Sequence, residues 1–531
     1  MENEVNEARP ALGHPALLLI VAGIVGLLAD ALLYGQGVGA GWALFLLLLP
    51  GALLFLGAAE GRKPRWGQLL PVLGTYGFFA AMQAIHADPA LAALNFAACV
   101  ALLGLLARLY LGGTLLDLGF GQILGGAFRL LGAATWSAAP VWVRALACVR
   151  TSETGKKSGL GVARGLVLAL PVLLVLVPLL ASADPRFGQL LEHLLGSLLP
   201  KNLEEVVGRT VLTLFAIWLI GGGLAWTLSR APDVPRSLRE AENHPLGFLE
   251  GVTVLGVVAL VFGTFLGLQA SYLFGGDARV QSVPGLTYSD YARRGFTELV
   301  LVATLTAALV EGLRAVVKRE GVAQTRVFSG LATAGVGMTL VMLASAWQRM
   351  AAYEAAYGAT ATRIWVDAFI VWLGLVLLWL AATLWRSPLS HRFALGGLAC
   401  AVGFGVTVNL LRPERLAATH NLTRPRALEN IAVSSENADI ALLAWRKLPP
   451  GQSKTDLANK LSGQLDGDIT MRWPSWNFAR GVSRASLLSS ERELRARVAE
   501  ARRRVEQEQA AESERLAREA ERRTKLAKAK R

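Results

Sequence analysis

The chain has 531 residues, 53% of them hydrophobic and only 17% charged, with a mean hydropathy of +0.44. Soluble domains carry roughly 25% charged residues, and more than six apolar runs of about 20 residues exclude a soluble protein. Three cysteines, Cys99, Cys148 and Cys400, exclude a disulfide framework and read as small buried hydrophobes. The net charge is +14, about +9 of it beyond Leu411 and the rest in loops between apolar runs. Basic loops beside apolar helices are a topology signal before they are a nucleic-acid signal. These features predict an all-α polytopic transmembrane helix bundle with a basic, mostly helical C-terminal tail.

Eleven spans are expected, over 15–35, 40–58, 68–86, 90–111, 163–182, 209–229, 248–273, 294–317, 327–346, 364–385 and 393–411. Each is near the ~20 residues that cross a ~30 Å hydrocarbon core. The first is not a cleaved leader, because Glu2, Glu4 and Glu7 precede it and its apolar run is too long. Residues 112–150 carry Asp117, Arg129, Arg144 and Arg150 among apolar residues, with Trp136, Pro140 and Trp142. They read as interfacial helices on the cytoplasmic side. The chain thus divides into a four-span region (1–111), an interfacial segment (112–162), a seven-span region (163–411), a small extramembrane segment (412–484) and a charged helix (485–531). With the N-terminus in the cytoplasm, inner segments hold about 20 Lys and Arg against about 8 in outer loops, which favours that orientation and places the tail outside.

The tail carries turn signals at Pro449-Pro450-Gly451 and apolar patches at Ile440, Leu442, Leu443 and Trp445 and at Trp473, Trp476 and Phe478. A small docked subdomain fits this pattern. Residues 485–531 are rich in helix formers with Glu/Arg pairs at i,i+4, such as Glu493 with Arg497 and Glu519 with Arg523. Leu494, Val498, Val505 and Leu516 are too sparse for a strong heptad seam, so a solvated single helix is expected ahead of a weak coiled coil.

No motif supplies a chemistry. Gly155-Lys156-Lys157-Ser158 lacks the first glycine of a phosphate loop, since Arg150 stands there. The six histidines are scattered without metal-ligand spacing, and no metal or cofactor is expected. Ionisable residues inside spans are few and therefore informative. Asp30 reads either as a pairing partner inside the bundle or as a wet residue near the outer interface. Arg294 with Glu298 and Arg363 with Asp367 stand at i,i+4 at the openings of two spans, where each pair can neutralise itself.

Three segments carry a resemblance: Ser182-Ala183-Asp184-Pro185-Arg186-Phe187, Tyr291-Ala292-Arg293-Arg294-Gly295-Phe296-Thr297-Glu298-Leu299, and Ser345-Ala346-Trp347-Gln348-Arg349-Met350 with Tyr353, Tyr357-Gly358, Thr360 and Arg363. Weaker matches are Asn409, Asn421-Leu422 and Trp473-Pro474-Ser475-Trp476-Asn477. Over roughly residues 160–480 the sequence resembles a bacterial polytopic membrane family of unknown function. This is domain-of-unknown-function family four-one-seven-three, akin to four-one-five-three. The resemblance implies a bundle in a bacterial inner membrane and no known activity.

In the eleven-span topology every resembling segment falls on the outer side, where arginines are not needed for orientation. Asp184, Arg186, Arg293, Arg294, Glu298, Arg349, Tyr353, Tyr357, Arg363 and Asp367 are the candidate residues. They read as a charge network locking helices or as a site for an anionic lipid or small anion, since Arg suits bidentate carboxylate or phosphate binding. The favoured function is a non-enzymatic, transporter-like or lipid- or anion-binding envelope component. The alternatives are a membrane-embedded transferase or hydrolase with Asp184 or Glu298 as base, and a scaffold or sensor-partner subunit that meets a protein through its tail helix. The partners expected are the lipid bilayer, an anion and such a protein, not nucleic acid.

Overall fold

The computed structural model describes residues 13–110, 203–228, 245–273, 296–386, 391–424, 431–469 and 472–529, with isolated positions elsewhere. The fold is all-α, with no strand among the described residues. Ten long apolar helices form the bundle: α1 (Pro15–Leu33), α2 (Ala40–Ala59), α3 (Trp66–Met82), α4 (Pro89–Tyr110), α5 (Leu203–Leu228), α6 (Phe248–Leu273), α7 (Phe296–Val316), α8 (Gly321–Tyr357), α9 (Ala361–Arg386) and α10 (His391–Leu411). Nine of these described helices are long and apolar enough to cross a membrane. The exception is α3, at 17 residues, which packs between α2 and α4. The chain is therefore a multi-pass membrane protein. The span expected over 163–182 and the interfacial segment over 112–150 lie outside the described residues, apart from scattered positions.

Two cores divide the bundle. Leu46, Tyr76, Phe79 and Leu106 centre the first, within α1–α5, and the Tyr76 hydroxyl donates to the Leu46 carbonyl at 2.7 Å. Phe328, Leu377 and Leu380 centre the second, within α6–α10. Leu249, Leu260 and Leu268 of α6 are exposed instead, as suits a face turned to lipid. The halves meet where α10 crosses α3 and α4. There Asn95 and Asn409, both fully buried, exchange amide hydrogen bonds at 2.9 and 2.8 Å.

Helix ends define two faces. Arg62 donates to the Leu228 carbonyl at 2.5 Å, so α5 ends beside the α2–α3 turn. Arg209 pairs with Asp30 at 3.1 Å, so α5 begins beside the α1–α2 turn. Asp30 is thus an interhelical pairing partner. Thus α4 ends on the first of these faces and α5 begins on the second.

The second face carries the C-terminal domain: α11 (Pro413–Asn421), α12 (Ala438–Lys447), α13 (Gln452–Ile469), a 3₁₀ turn (Trp473–Ser475), α14 (Phe478–Leu488) and α15 (Glu491–Ala529). Its core gathers Ile440, Leu442, Trp445, Leu457, Leu461, Leu487 and Leu494. Leu443, Trp473, Trp476 and Phe478 stay exposed. The domain docks through main chain: Ala40 N–H donates to Trp476 O at 2.8 Å, and Phe478 and Ala479 N–H donate to Ala84 and Ile85 O at 2.8 and 3.0 Å. Gly39 permits this approach, because a Cβ there would lie 2.5 Å from Trp476 O and 2.6 Å from Ser475 O.

Three sequence expectations shift. The ninth span, expected to stop at 346, runs on as α8 to Tyr357, because Ala346 to Tyr357 contains no helix breaker; Gly358, at φ 82°, ends it. The charged helix is not solvated from residue 485. Leu487 and Leu494 are fully buried and Val498 packs on the domain, while residues 502–520 are exposed. Its ion pairs are mostly at i,i+4 as expected, Glu491 with Arg495 and Glu514 with Arg518 among them, but Arg497 pairs with Glu500 rather than Glu493, and the Arg523 side chain lies outside the described residues.

Candidate functional site

A cavity of about 800 Å³ lies among α8, α9, α10 and α11. Its walls are apolar and aromatic, including Trp347, Trp372 and Phe404, and its polar groups are few: Glu354, Asp367, Thr407 and His420. Trp372 and Phe404 pack with ring centroids 5.5 Å apart. Glu354 stands three residues before the last residue of α8. Asp367 stands in the second turn of α9, and the two carboxylates line the same cavity. Neither has an ion-pair partner among the described residues, and Glu354 Oε1 is buried without a hydrogen-bond partner.

The corner above the cavity is pinned from both sides. Only residues 358–360 join α8 to α9. Asn421 accepts from Ala359 N–H at 2.9 Å and donates to Ala359 O at 2.7 Å, so the end of α11 grips this turn. Arg424 donates to Glu354 O at 2.9 Å. The Arg363 guanidinium stacks on the Tyr353 ring at 4.0 Å and donates to Gly358 O. Tyr353 meets Tyr357 edge-on at 5.0 Å.

The structure therefore brings together Tyr353, Tyr357, Arg363 and Asp367 with Arg349 on the same two helices. It does not pair Arg363 with Asp367; the guanidinium turns back toward the α8–α9 turn and Tyr353. Arg293 and Arg294 lie outside the described residues. Glu298 is exposed on the first turn of α7. Asp184 is exposed too, and its carboxylate accepts from Arg186 N–H at 2.9 Å. Neither makes an ion pair with the α8–α9 corner.

Sequence reading missed Glu354, placed in a loop when α8 was ended at 346. A second polar centre went unnoticed. Glu436, 2% exposed, receives Arg412, the Ala87 N–H and His86, whose Nδ1 stands 3.4 Å away. Burial would raise the Glu436 carboxyl, but the His86 imidazole beside it, hydrogen bonds from Arg412 and Ala87 and the Arg412 charge prevail and hold it at about 2. Asp88 beside it is pushed up, chiefly by burial, although its carboxylate caps α4 through the Ala90 N–H at 2.7 Å. Glu414 is raised by burial as well and accepts from the Ser434 hydroxyl. Arg412 adopts a left-handed backbone, φ 50°, before Pro413. A non-glycine residue in that region needs its surroundings to hold it, and the Glu436 contact does so.

The family model described as Domain of unknown function (DUF4153) matches residues 16–444. The chain belongs to this family. The match extends over α1–α4, which the sequence resemblance left unmatched, and stops before the Trp473–Asn477 segment. It covers both the cavity and the Glu436 centre. No curated protein and no solved structure matches the chain. Among the described residues no group of three or more His, Cys, Asp or Glu is placed to hold a metal ion.

Proposed function

We propose that this integral membrane protein is a transporter-like envelope component that binds a membrane amphiphile in the α8–α11 cavity. The carrying observation is the division of the cavity: an apolar, aromatic body within the bundle and a polar end where Glu354, Asp367 and His420 meet the C-terminal domain. Ligand sites in membrane bundles place few polar groups against a large apolar wall. An alkyl chain fits the body and a headgroup fits the polar end. We place the protein in a bacterial inner membrane. Arg62, Lys63, Arg65, Lys318, Arg319, Arg386 and Arg392 lie toward the face opposite the C-terminal domain, and the positive-inside rule turns that face to the cytoplasm. The site then opens toward the outer leaflet. The test is native mass spectrometry of the full chain released from mild detergent. A Cβ at Gly403 meets no atom within 4 Å, so Gly403→Trp fills the cavity. A retained amphiphile in wild type, lost in Gly403→Trp, supports the reading; equal retention overturns it.

A second reading is a carboxylate-dependent transferase or hydrolase. It moves from Asp184 and Glu298 to Glu354 and Asp367, because these two acids share a cavity with a histidine. Turnover of a lipid-linked substrate in proteoliposomes, abolished by either Glu354→Gln or Asp367→Asn, distinguishes it.

A further inference from the structure

The cavity has the wrong charges for an anion. Its lining holds two carboxylates and no arginine or lysine. Two of the nearby arginines are engaged at main-chain carbonyls: Arg424 at Glu354 O and Arg363 at Gly358 O, the latter also stacked on Tyr353. Each contact ties a guanidinium to the turn above the cavity, away from its interior. The Glu354 and Asp367 side chains make no ion pair among the described residues, and one Glu354 oxygen is buried without any donor. Unpaired charge this close to the hydrocarbon region is costly. Two like charges in one cavity add to that cost. A ligand cation removes both costs at once.

Resting on the amphiphile reading above, we infer that the headgroup this cavity takes is a protonated amine or quaternary ammonium carried on an alkyl chain. Glu354 and Asp367 supply the acceptors. Trp347 and Trp372 stand deeper in the same lining than the two acids and belong to the apolar wall. The remaining walls, Val371, Leu375 and Phe404 among them, take the chain. The nitrogen would sit near the end of α8 at headgroup depth, and the chain would run along α9 and α10 into the hydrocarbon region. Two sources carry this chemistry: an aminophospholipid of the membrane and a free cationic amphiphile.

Three probes of equal chain length separate the outcomes in the purified full chain at neutral pH: dodecylammonium, dodecanol and dodecanoate. Binding is read by thermal shift across a concentration series. Dodecylammonium is expected to bind about tenfold more tightly than dodecanol, with dodecanoate weakest. The double variant Glu354→Gln with Asp367→Asn is expected to abolish that preference while leaving dodecanol binding in place. Nanodiscs of phosphatidylethanolamine against phosphatidylglycerol then identify the source: stabilisation by the ethanolamine lipid assigns an aminophospholipid, and its absence beside dodecylammonium binding assigns a free amphiphile. Equal binding of dodecylammonium and dodecanol overturns the inference, because the carboxyls would then be neutral and need no cation. Preference for dodecanoate also overturns it. Either result leaves the cavity reading standing, whereas failure of all three probes, or undiminished binding in Gly403→Trp, removes the cavity reading itself. The wild-type comparison alone decides the charge preference should the double variant not fold.

Discussion

Arg412 and Glu436 join the membrane bundle to the C-terminal domain through one carboxylate oxygen, with Arg412 Nε and Nη2 donating to Glu436 Oε2 at 3.0 and 2.6 Å. The acid is 2% exposed and the guanidinium 23%. Removing one partner of a buried pair strands the other. Glu436→Ala is expected to destabilise the protein by about 3 kcal/mol, the lower end for buried pairs because Arg412 keeps some water. Arg412→Ala is expected to cost as much or more, since it leaves the fully buried acid with only the Ala87 N–H and the His86 imidazole beside it. Thermal unfolding of the detergent-solubilised chain, followed by a signal from the C-terminal domain, measures both.

The same acid gives a pH dependence with a definite sign. Its folded value of about 2 lies below the ordinary 4.5. A depressed carboxyl contributes stability that is complete above 4.5 and is lost as pH falls through about 2. Asp88 and Glu414 are raised and act oppositely, gaining stability as pH falls toward their ordinary values, largely before the Glu436 loss sets in. Wild type is therefore expected to lose stability between pH 4.5 and 2. Glu436→Gln should start less stable at neutral pH and show a shallower slope in that window. Identical slopes would remove Glu436 from the acid response.

Much of the bundle was legible, because an apolar run of about 20 residues has one stable form in lipid. The spans expected over 40–58, 90–111, 248–273 and 393–411 correspond within two residues at each end to α2, α4, α6 and α10. Amphipathic helix ends were not legible. From Ala346 to Tyr357 the hydropathy falls but the helix propensity does not, so a hydropathy boundary cut α8 short and hid Glu354. Asp30 looked solitary because its partner, Arg209, is 179 residues away. Glu436 was invisible for the same reason: His86, Arg412 and Glu436 belong to three separate stretches, and no spacing rule links them. The Arg363–Asp367 pair failed differently. Spacing permits an i,i+4 contact, but a closer carbonyl and an aromatic face compete for the guanidinium.

The Asn95–Asn409 pair fastens α4 to α10 in a dry place. Asn95→Ala leaves the Asn409 amide without its cross-helix partner, and burying an unsatisfied polar group costs about 1–3 kcal/mol. Replacing both by leucine removes both polar groups together. The double variant Asn95→Leu with Asn409→Leu is expected to lose less stability than the two single leucine variants summed, a non-additivity that a double-mutant cycle reads directly. Additive losses would mean the two amides act independently.

Topology follows from the two faces. Single cysteines at Lys63 and Lys318, in a cysteine-free background, are expected to resist a membrane-impermeant maleimide in intact cells. Cysteines at Thr360 and Ser453 are expected to react. Reversal at all four sites would turn the whole assignment over and place the cavity mouth on the cytoplasmic side. Reversal at Lys63 alone, with the other three sites as expected, would contradict the shared face set by Arg62 and Leu228.

Truncation separates the two parts of the last helix. Leu487 of α14 and Leu494 of α15 are fully buried in the domain core, and Val498 packs against it. Beyond residue 501 the described side chains are exposed through residue 520, and their ion pairs are local, such as Arg504 with Glu500 and Arg518 with Glu514. Pairs of that kind contribute only about 0.2–0.5 kcal/mol each to the helix itself. A stop after Gln507 is therefore expected to leave the unfolding temperature of the domain unchanged. A stop before Ala485 removes Leu487 and Leu494 from the core, and loss of one buried leucine to alanine already costs about 2–5 kcal/mol. That shorter chain is expected to lose the domain while the apolar bundle still inserts, read as protease sensitivity of residues 412–484 in membranes. Equal resistance of the two truncated chains would show that α15 adds nothing to the core that buries Leu494.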